Sequence, residues 1–310
     1  MTAYELTISP LVQQALDQGA PIVALESTVI THGLPYPQNL AVAQAMEAAV
    51  REGGATPATI GIIDGRIIVG LNEDELSHLA QAPERGVVRK ASRRDLPIAL
   101  ALGEDAGTTV AGTMLIAHRA GIEVFATGGI GGVHRGQTFD ISADLRELGQ
   151  TPVTVVCSGA KSILDLPATR EVLETEGVTV VGYGTDTLPA FFAPDCGLAV
   201  DVRLDTPDAV AALVLARRAL ALQSSTLVTV PIPAAEAMDP DEAEAAIAQA
   251  TEEADERGIH GPASTPWLLR RVVELTGGRS LAANSALLRN NGRVAAQIAV
   301  ALAEFETELD

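Results

Sequence analysis

Lysine is almost absent from this 310-residue chain. Of its 21 Lys and Arg residues only Lys90 and Lys161 are lysines, and 40 Asp and Glu leave a formal net charge of −19. That excess excludes a nucleic-acid-binding surface, because nothing would offset phosphate repulsion over most of the molecule. Small anions remain admissible wherever a local field opposes the global one. Cysteine is equally scarce. Cys157 and Cys196 cannot build a disulfide framework or a thiolate zinc site. The five histidines are scattered without zinc-ligand spacing. No apolar run approaches the roughly 20 residues that span a bilayer. MTAYELTISP has no basic segment leading into an apolar one, so no signal peptide is expected and the expected compartment is the cytoplasm.

What is present is a hydrophobic content of 47% and 28 glycines, the composition of a well-buried core with many tight turns. The pattern predicts a helix from Ser9 to Gly19, the strand PIVALES, an irregular loop THGLPYPQN, and the helix LAVAQAMEAAVREGG. Two β-branched runs around Asp64-Gly65 predict a hairpin. Further on, EDELSHLAQA reads as helix, DLPIALAL as strand, TVAGTMLIAHRAG as helix and EVFATGG as a strand entering a glycine loop. PVTVVCSG with a helix over 161–176 repeats the unit, followed by VTVVGYG, GLAVDVRL, a helix over 207–222 and STLVTVPIP. Helices over 240–257 and 280–306, with a shorter one near Pro266, close the chain. Near-continuous apolar strands alternating with helices predict one α/β domain over residues 1–310. It should be a three-layer α/β/α sandwich with a mixed central sheet. The active site is then expected at the carboxyl ends of the strands.

Four strand-end segments collect the unusual residues. In CSGAKSILDL an amine follows a buried strand. An arginine stays protonated, whereas an ε-amine in a dry pocket can become a nucleophile. Lys161 is therefore either a Schiff-base former or a helix-start ion-pair residue. VVRKASRRDLP places Lys90 among Arg89, Arg93 and Arg94, a basic cluster suited either to phosphate or to solvent. Glu26, closing PIVALES, reads as a general acid or as an acceptor for the next loop. ATGGIGGVHRGQTFDISADL lets backbone approach an anion, although Gly129, Gly131 and His134 do not complete a dinucleotide motif. Its Asp140 and Asp144 suit a hard cation such as Mg²⁺ or Mn²⁺, with Ser142 capping a helix that begins at Ala143. His32 lies in a loop of the same group. Asn284, Asn290 and Asn291 fall inside the last helix, where an inward asparagine either reads an amide-bearing ligand or bonds the core.

Taken together, ALESTVITHGLPYPQN, ATGGIGGVHRG, FDISADL, VVCSGAKSILDLPATREVLET, GIHGPASTPWLL and SLAANSALLRNNGRVAAQIA resemble the pseudouridine-5′-phosphate glycosidase family, also called indigoidine synthase A-like. The resemblance spans residues 24 to about 300. It implies a homotrimer, a manganese ion, and cleavage of the C–C bond between ribose C1′ and uracil C5 to give uracil and ribose 5-phosphate. It implies Lys161 as covalent nucleophile, Glu26 as proton donor and Asp140 as metal ligand. Ser142, Ala143 and Asp144 match a substrate-binding turn. Lys90 and Val110 match further substrate contacts, and Thr109, Thr127, His134 and Asn284 are expected in the pocket. Two rivals share parts of this pattern. Another Schiff-base enzyme such as an aldolase would keep Lys161 and the phosphate contacts without a uracil reader. A sugar-phosphate sensor would keep the loops without requiring Lys161.

Overall fold

The chain order opens with β1 (Thr7–Ile8), α1 (Pro10–Asp17) and β2 (Ile22–Leu25). The structure is a computed structural model that describes residues 5–86, 88–136, 139–259 and 264–309. Ser9 caps α1 by accepting a hydrogen bond from Val12 N. After β2 the chain makes a single wide helical turn, Val29–Gly33, then α2 (Gln38–Glu52), β3 (Thr56–Ile63) and β4 (Arg66–Val69). Asp64 and Gly65 join β3 to β4 with φ of +49° and +68°, the two positive values that a tight hairpin requires. Next come α3 (Glu73–Arg85), β5 (Arg89–Ala91), α4 (Leu96–Leu102), β6 (Ala106–Thr108), α5 (Val110–Arg119) and β7 (Val124–Ala126). The middle of the chain adds β8 (Val133–His134), α6 (Ala143–Leu148), β9 (Thr154–Cys157), β10 (Leu164–Asp165) and α7 (Leu166–Thr175). β11 (Thr179–Tyr183), β12 (Val202–Leu204), α8 (Pro207–Ala219) and β13 (Thr226–Thr229) complete the sheet. α9 (Pro240–Glu256), α10 (Ser264–Leu275) and α11 (Arg279–Leu309) end the chain.

The main sheet runs β1-β4-β3-β2-β7-β9-β13-β11-β12, with β6 paired to β3 and β5 to β6. Only β3 with β4 and β3 with β6 are antiparallel; every other pair is parallel. This is the mixed sheet that the hairpin predicted. Every residue of β2, β7, β9 and β13 is buried, as strands covered on both faces require. α11 packs with α2 and α8 and lies against β2, β7 and β9. A second group, α5 to α7, packs neighbour to neighbour, with α5 on β2, β3 and β6 and α7 on β11. Phe125, Ile60, Ile62 and Met114 are among the fully buried side chains of the core. Each is worth about 1.5–3 kcal/mol of transfer from water, which makes the strand ends a rigid platform.

Two elements differ from the sequence reading. DLPIALAL is α4 rather than a strand. Pro97 sits in its first turn and Gly103 closes it at φ +67°. Its burial follows helical spacing, with Leu96 and Ala99 inside and Ile98 and Leu102 exposed. A short apolar run carries too little periodicity to separate the two readings. The helix expected from residue 161 begins only at Leu166. Asp165 caps it, and Leu164–Asp165 pair antiparallel with Val133–His134 instead. Lys161 therefore stands in a turn between β9 and β10. Of GLAVDVRL only Val202–Leu204 is strand. The string GIHGPASTPWLL runs through residues 260–263, and HRGQTFD through 137–138, both outside the described residues.

Candidate active site

The site lies where β2, β7 and β9 end side by side. Leu25 pairs with Ala126, and Ala126 with Val156, so Glu26 and Thr127 leave the sheet as neighbours. The Thr127 hydroxyl donates a short hydrogen bond to Glu26 Oε1. Lys161 follows β9 by four residues, its N–H donating to Ile130 O at 3.1 Å. Arg135 braces that turn from the far side. Its Nε donates to Leu164 O at 3.1 Å, one terminal nitrogen donates to Ser162 O at 2.9 Å, and the fork pairs with Glu244 of α9.

Burial pushes the Glu26 carboxyl above the usual carboxylate range, and Asp144 adds to this. Lys161, the Thr127 hydroxyl and Lys90 oppose it. Burial pushes the Lys90 ammonium down, and Lys161 pushes the same way, while Asp144 and Glu26 hold it up. Glu26, Lys90, Asp144 and Lys161 thus share one weakly solvated corner. His134 faces it too: burial lowers its imidazole, Asp140 opposes, and Lys90 and Lys161 reinforce. His32, in the wide turn after β2, is pushed down to about 4 by burial and by Lys90, so it is neutral at neutral pH. Its Nδ1 lies 2.7 Å from Thr31 Oγ1. Burial pushes the Cys157 thiol up to about 12, which removes it as a nucleophile.

Asp144 is 6% exposed, and backbone already claims both its oxygens. Ala111 N donates to one at 3.0 Å and Gly131 N to the other at 2.9 Å. It staples the glycine loop to the start of α5. A Cβ on Gly131 would fall 2.2 Å from Ser142 Oγ, and one on Gly132 2.3 Å from Thr169 Oγ1. These glycines therefore serve close packing, and the Gly131 amide is spent on Asp144 rather than presented to an anion. Ser142 caps α6 by accepting from Asp144 N at 3.2 Å, and Ala143 opens that helix, exposed. Thr109 caps α5 through Gly112 N. The Val110 side chain is buried, which leaves its backbone for any contact there. Asn284 stands over the β7 end, with Oδ1 3.5 Å from where a Cβ on Gly128 would sit.

The expected basic cluster is not a cluster. Arg89 pairs with Glu104, and Arg93 makes a bidentate bridge at 2.6 Å to the buried Glu147. Arg94, with 82% of its side chain exposed, lies 3.9 Å from Asp95. Only Lys90 turns toward the site, because alternate residues of a strand face opposite ways. Asp140 lies 3.9 Å from His134 Nδ1, its one ion-pair contact among the described residues. Among those residues no three His, Cys, Asp or Glu side chains converge as a metal-binding set. One oxygen-donor carboxylate suits a hard cation that keeps most of its water, and does not suit zinc.

A carboxyl held near an amine at the carboxyl edge of a mostly parallel sheet defines an α/β enzyme site for covalent amine chemistry. The chain belongs to the family of indigoidine synthase A like proteins, which matches residues 11–301. A relative named pseudouridine-5′-phosphate glycosidase from Paracoccus denitrificans is 57% identical, covering 96% of this chain and 98% of its own. One of the same name from Methylobacterium nodulans is 56% identical, covering 96% and 88%. The crystal structure of the prealnumycin C-glycosynthase AlnA in complex with ribulose 5-phosphate superposes with a TM-score of 0.90 at 42% identity over 99% of each chain. An indigoidine synthase A-like protein from Thermotoga maritima gives 0.88 at 36%, over 98% of this chain and 99% of that one.

A raised carboxyl pKa in the folded state is also a stability statement. Ionising Glu26 is harder in the folded protein than in the unfolded one. Its contribution is therefore fully present below the ordinary carboxyl range and is lost as pH rises through the folded pKa. Glu26→Gln, which keeps an acceptor for Thr127, should then be more thermostable than the parent at pH 8 and indistinguishable from it near pH 3.5. Melting curves across that range check this, and equal differences at both pH values would contradict it.

Proposed function

We propose that the chain cleaves the C–C glycosidic bond of pseudouridine 5′-phosphate with water, giving uracil and ribose 5-phosphate. The observation that carries this is the Glu26 carboxyl, pushed by burial above the usual carboxylate range and lying near the Lys161 amine at the strand ends. The names of the relatives support the substrate. The C-glycosynthase among the solved structures supports a carbon–carbon glycosidic bond as the one acted on.

The chemistry explains the lysine. Ordinary glycosidases use two carboxylates to expel an oxygen or nitrogen leaving group. Here the leaving atom is carbon. Glu26 protonates the ring oxygen as the sugar opens, and Lys161 Nζ bonds to C1′. A proton is delivered to uracil C5, the nitrogen lone pair forms a C=N bond, and the C1′–C5 bond breaks. Water then hydrolyses the iminium, returning the amine and releasing the sugar aldehyde. Borohydride added with ribose 5-phosphate should fix a secondary amine on the peptide containing Lys161, read by mass spectrometry. Lys161→Arg should fold and release no uracil, because a guanidinium offers no lone pair at neutral pH. A label on Lys90 instead, or near-normal turnover by Lys161→Arg, contradicts the reading.

Lys90 holds the substrate phosphate in this proposal, without help from Arg89 or Arg93. Losing one charge-assisted contact costs about 1.5–3 kcal/mol, roughly 10- to 150-fold in affinity. Lys90→Met should raise KM on that scale and abolish the preference for pseudouridine 5′-phosphate over pseudouridine. Arg93→Met should instead lower the melting temperature, since it strands the buried Glu147. The opposite assignment of effects would return the phosphate role to the arginines.

Asp140 would hold the Mn²⁺ that the resemblance implies, with water completing the shell. The ion would supply a local positive charge against the substrate's oxygens. A homotrimer belongs to the same proposal, and Phe139 and Ile141, both exposed beside Asp140, are apolar surface that assembly would cover. Activity should fall on EDTA dialysis and return with Mn²⁺, and sedimentation should give three copies. Full activity without metal, or a monomer, removes the corresponding half.

A further inference from the structure

Asn291 lies in the middle of α11 and is fully buried, where a helix facing a β-sheet ordinarily carries an aliphatic residue. Its amide reaches past the end of the strand ladder. Nδ2 donates to Thr127 O at 2.9 Å and stands 3.4 Å from Gly128 O. The same nitrogen lies 3.1 Å from Ser158 Oγ, and Ser158 Oγ donates to Asn291 Oδ1 at 3.2 Å. Thr127 is the residue whose hydroxyl donates to Glu26, and Ser158 begins the loop that leads to Lys161. Thr127 and Ser158 are each fully buried as well.

The backbone alone does not fix this corner. Thr127 N–H is anchored on Val156 O, and Ser158 N–H on Gly128 O. The Thr127 carbonyl, however, points beyond the last ladder pair, and the residue after it is a glycine. Without a partner the Thr127–Gly128 peptide plane can rotate and carry the threonine side chain with it. One amide from a third element supplies that partner and bonds the neighbouring strand end at once.

We infer that Asn291 is a positioning residue that sets the Thr127 hydroxyl on the Glu26 carboxyl and fixes the β7 and β9 ends relative to each other. This rests on the reading of Glu26 as proton donor and Lys161 as nucleophile. Asn291 touches neither substrate nor reacting atom; it acts through Thr127 and Ser158. The charged groups facing Glu26 are Lys161 after β9, Asp144 on α6 and Lys90 on β5, and none of them bonds Asn291. Loss of the amide should therefore change the Thr127 contribution to the Glu26 environment and leave the charges in place. The Thr127 hydroxyl stabilises the ionised carboxyl, so weakening its hold moves the Glu26 titration upward.

The test uses Asn291→Leu, which keeps the side-chain shape and removes every polar contact. Two readouts are taken: uracil release from pseudouridine 5′-phosphate, and the titration of the Glu26 carboxyl by ¹³C NMR on substrate-free protein. Expected are a kcat lower by roughly 10-fold or more with KM within about twofold, and a Glu26 titration shifted to higher pH. A folded Asn291→Leu protein whose Glu26 titration is unmoved overturns the inference, even if turnover falls, since that pattern is a structural loss alone. Should Asn291→Leu fail to fold, Ser158→Ala decides. It frees the amide to turn, so the same two changes are expected at about threefold in kcat, and their absence overturns the inference. If the parent releases no uracil, it is the functional reading that fails. The Glu26 titration then decides the positioning role on its own.

Discussion

The parallel register of β2, β7 and β9 is the constraint on which the site depends. Neighbouring strands stand about 4.8 Å apart, so residues that end three such strands in the same row are held side by side. Glu26 and Thr127 occupy that row, and Cys157 continues it at the end of β9. A slip of one residue in β7 would turn Thr127 to the opposite face and leave the carboxyl without its hydroxyl. The fully buried aliphatic runs that forbid such a slip are the same residues that form the core. Packing and chemistry therefore share one determinant. Lys161 escapes the row because the turn after β9, pinned by Ile130 O and Arg135, returns it toward Glu26.

Charge is managed in the corner by giving each negative group a different employment. Asp144 is buried and tied down by its bonding, since two backbone N–H groups converge on its oxygens. Among the described residues Glu26 receives one hydroxyl and no amide, and burial pushes its pKa up. The two carboxyls thus separate in role although they share a pocket. One fixes the loop, and the other is the proton donor of the proposed reaction. The same logic disposes of the arginines on β5. Arg89 and Lys90 are consecutive in a strand and must face opposite sides, so Arg89 meets Glu104 and Lys90 meets the site.

Much of this was legible from the chain because strand ends are marked by abrupt changes of residue type. ALES and CSGAK each place a charged group directly after a buried run, and that is where Glu26 and Lys161 are found. The Asp64-Gly65 hairpin followed from backbone sterics alone. DLPIALAL was not legible, since leucine and alanine serve strand and helix alike and the deciding feature, Gly103 in a left-handed conformation, acts only once the run is helical. The basic cluster at 89–94 was misjudged because the carboxylates that consume it, Glu104 and Glu147, lie 15 and 54 residues away. Asn291 was legible only as one of three asparagines inside the last helix; its partners come from β7 and β9 and no local pattern names them.

The scarcity of lysine then acquires a physical reading. Among the described residues every salt bridge is made by arginine or histidine, and neither lysine takes part in one. Guanidinium forks suit fixed, bidentate, permanently charged work such as Arg93 on Glu147 or Arg135 across Ser162 and Leu164. An ammonium is a compact charge on a flexible stem that can give up its proton, and both of the chain's ammoniums are in the one desolvated corner. Lys161 makes the charged form of Lys90 more costly, while Asp144 and Glu26 limit that cost. In the proposed reaction Lys90 meets the anionic phosphate and Lys161 bonds the sugar. An arginine at position 161 would offer no lone pair, so the proposed mechanism and the scarcity of lysine point to the same corner.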